Sequence, residues 1–90
     1  MLFRSEARRD GNKITLTAKE FQLLEYLLRN KDKVVSRDEI ARNVWETEFD
    51  PQTNVIDVYV NFLRKKIDKN FEPKLIHTHV GLGYIVRVDE

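Results

Sequence analysis

The chain reads as an α+β domain in which a β-hairpin, three helices and a second β-hairpin follow one another. Three observations predict this order. Short alternating runs flank Asp10-Gly11 near the start and Gly81-Leu82-Gly83 near the end. The pattern Ser/Thr-x-x-Glu occurs twice between them, each time ahead of an apolar helical repeat. A third repeat, Asn54 to Lys69, carries two faces of different character.

Composition sets the outer bounds. With 90 residues the chain is one small domain with an adequate core. Hydrophobic residues at 41% and charged residues at 34% fit an ordinary soluble globule. No apolar run approaches the roughly 18 residues of a membrane span, and Arg4, Glu6, Arg8 and Arg9 interrupt any leader-like stretch. The absence of cysteine excludes disulfides, thiolate metal sites and cysteine nucleophiles, and fits a cytoplasmic protein.

Ser5 to Arg9 and Asn12 to Leu16 form the first hairpin, with Ile14 and Leu16 on one face. The first strand is polar, as at an edge or in the remnant of a larger sheet. Thr17-x-x-Glu20 caps the first helix, with Leu16 as a staple residue. Its expected apolar face is Phe21, Leu24, Leu27 and Leu28, leaving Lys19, Glu20, Glu25 and Arg29 in water. After Asn30 to Lys33, Val34 and Val35 make a short extended link. Ser36-x-x-Glu39 caps a second helix, from about Arg37 to Val44, with Ile40, Ala41 and Val44 inward. Trp45 at its end is expected to anchor in the core. Glu46 to Thr53 is a loop, because Asp50-Pro51 disfavours helix.

The third helix, about residues 54–67, follows. Ile56, Val60, Leu63 and Ile67 share an inward side. The opposite side carries Asn54, Val58, Asn61 and Lys65. Asn can pair bidentately with adenine, Val can touch a thymine methyl, and Lys can meet phosphate. Arg64, Lys65, Lys66 and Lys69 gather where cations suit the helix dipole. Two readings stand side by side here. The helix enters a DNA groove, or it is the buried central helix, since Val55, Val58, Tyr59 and Phe62 widen its apolar surface. Leu75 to Val80 and Tyr84 to Val88 then form the second hairpin, which must pack on the helices or join the first strands.

Charge leaves a similar choice open. The net charge of +1 is weak support for nucleic-acid binding. Residues 54–69 hold four cations and two anions, whereas residues 45–53 hold Glu46, Glu48 and Asp50 and no cation. Either two surfaces face different partners, or this is ordinary solvated charge. His77 and His79 share one side of a strand but lack a third ligand at metal-site spacing, so no metal or other cofactor is expected. No phosphate loop, HExxH or nucleophile elbow gives catalysis a foothold, so an enzyme is not expected.

Four segments in order resemble the OmpR/PhoB-type effector domain of bacterial two-component response regulators. Leu16-Thr17-Ala18-Lys19-Glu20-Phe21-Gln22-Leu23-Leu24 resembles its LTxxEFxLL signature. Val35-Ser36-Arg37-Asp38-Glu39-Ile40 and Val44-Trp45 are similar to its second-helix motif. Asp57-Val58-Tyr59-Val60 with Leu63-Arg64-Lys65-Lys66-Ile67 resembles its VDVxIxxLRxKL recognition helix, and Ile76-His77-Thr78 with Gly81-Leu82-Gly83-Tyr84 its IxTxxGxGY wing. The likeness covers about residues 5 to 88.

The resemblance implies a winged helix-turn-helix that binds double-stranded DNA and regulates transcription. Its third helix would enter the major groove and its wing, about residues 75–88, would touch the flanking groove or backbone. Base contacts then fall to Asn54, Val58, Asn61 and Phe62, and backbone contacts to Tyr59, Arg64, Lys65, Lys66, His77 and Thr78. The loop with Glu46, Glu48 and Asp50 would face RNA polymerase. Partners through the family's receiver domain would include a sensor kinase, and pairs would sit head to tail on DNA. Residues 1–90 are expected to be this effector domain alone, with the receiver domain and the first strands of the usual sheet absent. Several relatives carry arginine where this chain has Asn54, Asn61, Phe62 and Val80, so a different DNA sequence is expected to be read. Arg64 could instead pair with Asp57 and be structural. The competing function is a protein-interaction module using Val58, Tyr59 and Phe62 as an exposed apolar patch.

Overall fold

Two local signals start the chain's regular structure. In the computed structural model, which describes residues 5–47 and 53–87, Asp10 and Gly11 both take positive φ, +52° and +79°. That is the twist a two-residue hairpin loop requires. It joins β1 (Ser5–Arg9) to β2 (Asn12–Leu16) in an antiparallel pair running from Ser5 opposite Leu16 to Arg9 opposite Asn12. Ile14 and Leu16 of β2 face the core.

Thr17 then caps α1 (Ala18–Arg29) with the reciprocal box expected: its hydroxyl accepts from Glu20 N–H, and the Glu20 carboxylate accepts from Thr17 N–H. The buried stripe of α1 is Glu20, Leu23, Leu24 and Leu27. This corrects the sequence expectation on two points. Leu28 is 48% exposed, and Glu20 is only 3% exposed. The stripe is rotated because the Glu20 carboxylate is neutralised by Lys66 Nζ at 2.6 Å, which lets a charged residue occupy an inward position.

Ser36 and Glu39 make the second capping box at the start of α2 (Arg37–Ile40). Only this first turn is α-helical. The chain widens into a π turn over Ala41–Trp45, and Glu46, at φ +56°, ends it. Ile40, Ala41 and Val44 are buried as expected. Trp45 sits at the margin of the core rather than inside it, half-buried, with its ring edge-on to Tyr59 at 5.2 Å.

α3 (Val55–Ile67) packs across α1 and buries Ile56, Val60, Leu63 and Ile67, the predicted inward stripe. With Leu23, Leu27 and Ile40, its Val60 and Leu63 form the most completely buried centre. Beyond α3, Asp68 is buried and accepts from Arg9 Nη1 at 2.9 Å, Leu75 N–H at 3.1 Å and Ile76 N–H at 3.0 Å. One carboxylate therefore ties the first hairpin and the start of the second to the end of α3.

The second hairpin pairs β3 (Ile76–His79) with β4 (Gly83–Val86). It joins neither β1 nor β2. Its third neighbour is Val35, the extended link after α1, which exchanges backbone hydrogen bonds with Tyr84 at 2.8 and 2.9 Å. Gly83 makes this approach possible: a Cβ there would lie 2.0 Å from the Val35 oxygen. Every residue of β4 is buried, while Val80 and Leu82 at the hairpin tip are exposed.

Candidate nucleic-acid interface

The residues predicted to read bases project from the outward side of α3. Asn54 precedes its first turn, exposed, and its side chain makes no capping hydrogen bond. Asn61 and Lys65 are exposed, Phe62 is 41% exposed, and Val58 is half-buried. Of the residues behind the central-buried-helix alternative, Val55, Val58 and Tyr59 are half-buried and Phe62 is exposed. Tyr59 is half-buried and wedged between the rings of Trp45 and Phe62, the latter at 5.6 Å and edge-on.

The predicted backbone-facing cations separate into three situations. Lys65 has no ion-pair partner among the described residues. Lys66 is turned the other way, onto Glu20. Burial raises the Glu20 pKa, but the bonds from Lys66 and Thr17 outweigh it and leave the carboxyl below its ordinary value.

Arg64 bridges to the wing. It donates from Nη2 to Thr78 Oγ1 at 2.6 Å, from Nε to the Ile76 carbonyl at 3.3 Å, and from Nη1 to Asn61 Oδ1 at 3.5 Å. It does not pair with Asp57, as the sequence left open. Asp57 belongs to Arg37 instead, whose Nε donates to Oδ1 at 2.9 Å, and to Tyr84, whose hydroxyl donates to the same oxygen. Burial first, then the bond to Asp57 and its charge, raise the Tyr84 pKa. The bond to Asp57 raises that of Arg37.

Arg37 and Tyr84 were not singled out from sequence. Arg37 lies 20 positions from Asp57, so no helical spacing links them. The signals in the sequence are that Arg37 opens the second helix and that Tyr84 closes the wing signature. On the wing, Thr78 and His79 are exposed and His77 is half-buried. Glu46 is exposed beyond the π turn, and Glu48 and Asp50 lie outside the described residues.

An exposed polar face on the third of three helices, flanked by a hairpin bound to that helix, defines the winged-helix class of DNA-binding domains. The chain matches the family described as "Transcriptional regulatory protein, C terminal" over residues 11–86. It is 54% identical over 82 residues to the transcriptional regulatory protein CusR of Escherichia coli K12, covering 91% of this chain and 36% of that protein. Among solved structures it is similar to the DNA-binding domain of CpxR from E. coli, with a TM-score of 0.82, 31% identity and coverage of 94% of this chain and 84% of that one. It is also similar to the DNA-binding domain of Klebsiella pneumoniae RstA, solved in complex with the RstA box, at TM-score 0.78, 28% identity and coverage of 86% and 77%. The chain belongs to the OmpR/PhoB-type family of response-regulator DNA-binding domains. It spans little more than a third of the length of the CusR relative, 36%. Among the described residues no helix is long and apolar enough to cross a membrane.

Proposed function

We propose that this chain binds duplex DNA at a defined sequence, with α3 in the major groove and the wing on the flanking groove or backbone, and so regulates transcription. The observation that carries the reading is the outward side of α3, where Asn54, Asn61, Phe62 and Lys65 are exposed and Arg64 reaches the wing. Asn54 and Asn61 supply the donor–acceptor pair that matches adenine, Val58 contacts a thymine methyl, and Phe62 packs on a base or sugar. Lys65 and Arg64 meet phosphates, with Thr78 and His77 on the wing and Tyr59 at the helix margin as further backbone contacts. Lys66 serves the fold first, through Glu20, and has two ammonium hydrogens left for a phosphate.

The parent protein is a cytoplasmic response regulator whose receiver domain is phosphorylated by a sensor kinase, and copies of this domain bind DNA head to tail. The loop that begins at Glu46 and carries Glu48 and Asp50 offers an acidic surface to RNA polymerase. This is a binding domain, not an enzyme. The protein-interaction alternative has less in its favour, because of Val58, Tyr59 and Phe62 only Phe62 is exposed.

Selection of bound sites from random duplex DNA, followed by salt titration on the selected site, tests the reading. Asn61→Ala should weaken binding to that site by about 1–3 kcal/mol and relax preference at one base pair. Lys65→Ala should weaken every duplex alike and reduce the salt slope by roughly 0.9. Identical behaviour of the two variants on selected and random duplexes would overturn these roles.

A further inference from the structure

We propose that Asp57, Arg37 and Tyr84 are positioning residues that lock the wing to α3, so that helix and wing meet DNA as a single rigid reader; the proposal rests on the DNA-binding reading above. Asp57 lies in the first turn of α3. One of its oxygens receives two donors from two other elements: Arg37 Nε of α2 at 2.9 Å and the hydroxyl of Tyr84 of β4. Tyr84 is 4% exposed, and the guanidinium carbons of Arg37 and Arg64 lie 5.7 and 5.5 Å from its ring centre. Thr78, the cross-strand partner of Tyr84, accepts from Arg64 of α3. Each wing strand is thus fastened separately to the recognition helix, β3 through Arg64 and β4 through Asp57.

Stability alone does not account for this cluster. The side chains of Arg37 and Asp57 are 50% and 29% exposed, and ion pairs that wet contribute little to folding. The Tyr84 ring is held by the core whether or not its hydroxyl is bonded. What the hydroxyl and carboxylate do fix is direction. Two four-residue strands form a marginal hairpin; the bridge from Val35 holds β4 to the link after α1, and the ties through Asp57 and Arg64 are what hold the wing to α3 itself. A wing held at one angle before binding loses less conformational freedom when it docks.

Tyr84→Phe removes the hydroxyl and keeps the ring; Asp57→Asn keeps an acceptor for the hydroxyl but removes the charge. Thermal unfolding establishes that both variants are folded at the assay temperature. Affinities are then measured for the duplex selected by the wild type, for versions trimmed base pair by base pair on the wing-facing flank, and for random duplex. Tyr84→Phe should bind the full duplex about fivefold more weakly, less than the more than tenfold worth of one hydrogen bond to a charged group, because the bond acts on DNA only through the wing. The difference from wild type should vanish once the flank is trimmed away, and random duplex should be bound equally. Asp57→Asn should lose less than Tyr84→Phe. An equal loss on full and trimmed duplex, or none on either, overturns the proposal. Failure of the wild type to prefer any duplex overturns the DNA-binding reading instead, and this proposal with it.

Discussion

Lys66→Met separates what a recognition-helix cation does for the fold from what it does for DNA. In the native chain Lys66 Nζ donates to Glu20 Oε1 at 2.6 Å, and the Glu20 side chain is 4% exposed against 38% for Lys66. Methionine retains most of the aliphatic stem, so packing changes little. The carboxylate stays buried, with Thr17 N–H at 2.9 Å as its remaining donor. A hydrogen bond to a charged group is worth about 1.5–3 kcal/mol, and the partial exposure of Lys66 argues for the lower half, about 2 kcal/mol. For a domain of this size that is a fall of about 8–16 °C in Tm.

The pH dependence gives the same test a sign. Glu20 has its folded pKa below the ordinary 4.5, because bonds from Lys66 and Thr17 overcome the effect of burial. Its contribution is therefore complete above the unfolded value and is lost as pH falls through the folded one. In Lys66→Met the burial remains and the Lys66 contribution is gone, so the acid transition should move to higher pH. The deficit against wild type should be widest near neutrality and close on acidification. Unfolding curves at neutral and acid pH measure this, and a salt titration on DNA completes the comparison. Unchanged stability at neutral pH, with a salt slope reduced as much as in Lys65→Ala, would refute the reasoning and make Lys66 a phosphate ligand first.

Two further outcomes follow from the wing. Gly83→Ala places a Cβ 2.0 Å from the Val35 oxygen, at φ +144°, where the obstacle is backbone and cannot swing aside. It should cost about 3 kcal/mol or more in denaturant unfolding, as the bridge to Val35 opens. At alkaline pH, Tyr84 contributes stability that is complete below its ordinary value of 10.0 and is lost as pH rises through its higher folded value. Stability curves taken upward from about pH 9 should therefore fall more steeply for wild type than for Tyr84→Phe.

What was legible in the sequence was local. Both capping boxes, the Asp10-Gly11 turn and the inward stripe of α3 depend on residues within a turn or two of one another, and all three form as read. The misreadings concern charges whose partners are distant. Periodicity puts Glu20 in water because its pairing with Lys66 spans 46 positions, and so turns the expected face of α1 onto Leu28. The sequence offers Asp57 a partner in Arg64, seven residues along the same helix, whereas the fold brings Arg37 to it from α2. Val35 reads as extended, but nothing local says that β4 is the strand it meets. Of the candidate interface, the exposed row on α3 was legible from periodicity, whereas the fastening of the wing was not.

The same internal pairings explain how a chain of net charge +1 can present a DNA-binding face. Three of its cations are cross-links: Arg9 on Asp68, Arg37 on Asp57 and Lys66 on Glu20. These neutralise charge between elements and contribute little field outside. Lys65 and Lys69 have no such partner among the described residues, and the partners of Arg64 are neutral, so its charge is uncancelled. Arg64 and Lys65 in the C-terminal half of α3 and Lys69 just beyond it therefore stand unneutralised, on the helix that also carries Asn61. Few phosphate contacts make for weak sequence-independent attraction, with a salt slope of roughly 0.9 for each. On the contacts proposed above, a domain with so small a non-specific term draws more of its affinity from base edges, and from a wing held in place, than a strongly basic one does. Hence the close packing of ties around Asp57 and Arg64 matters more here than the count of positive charges.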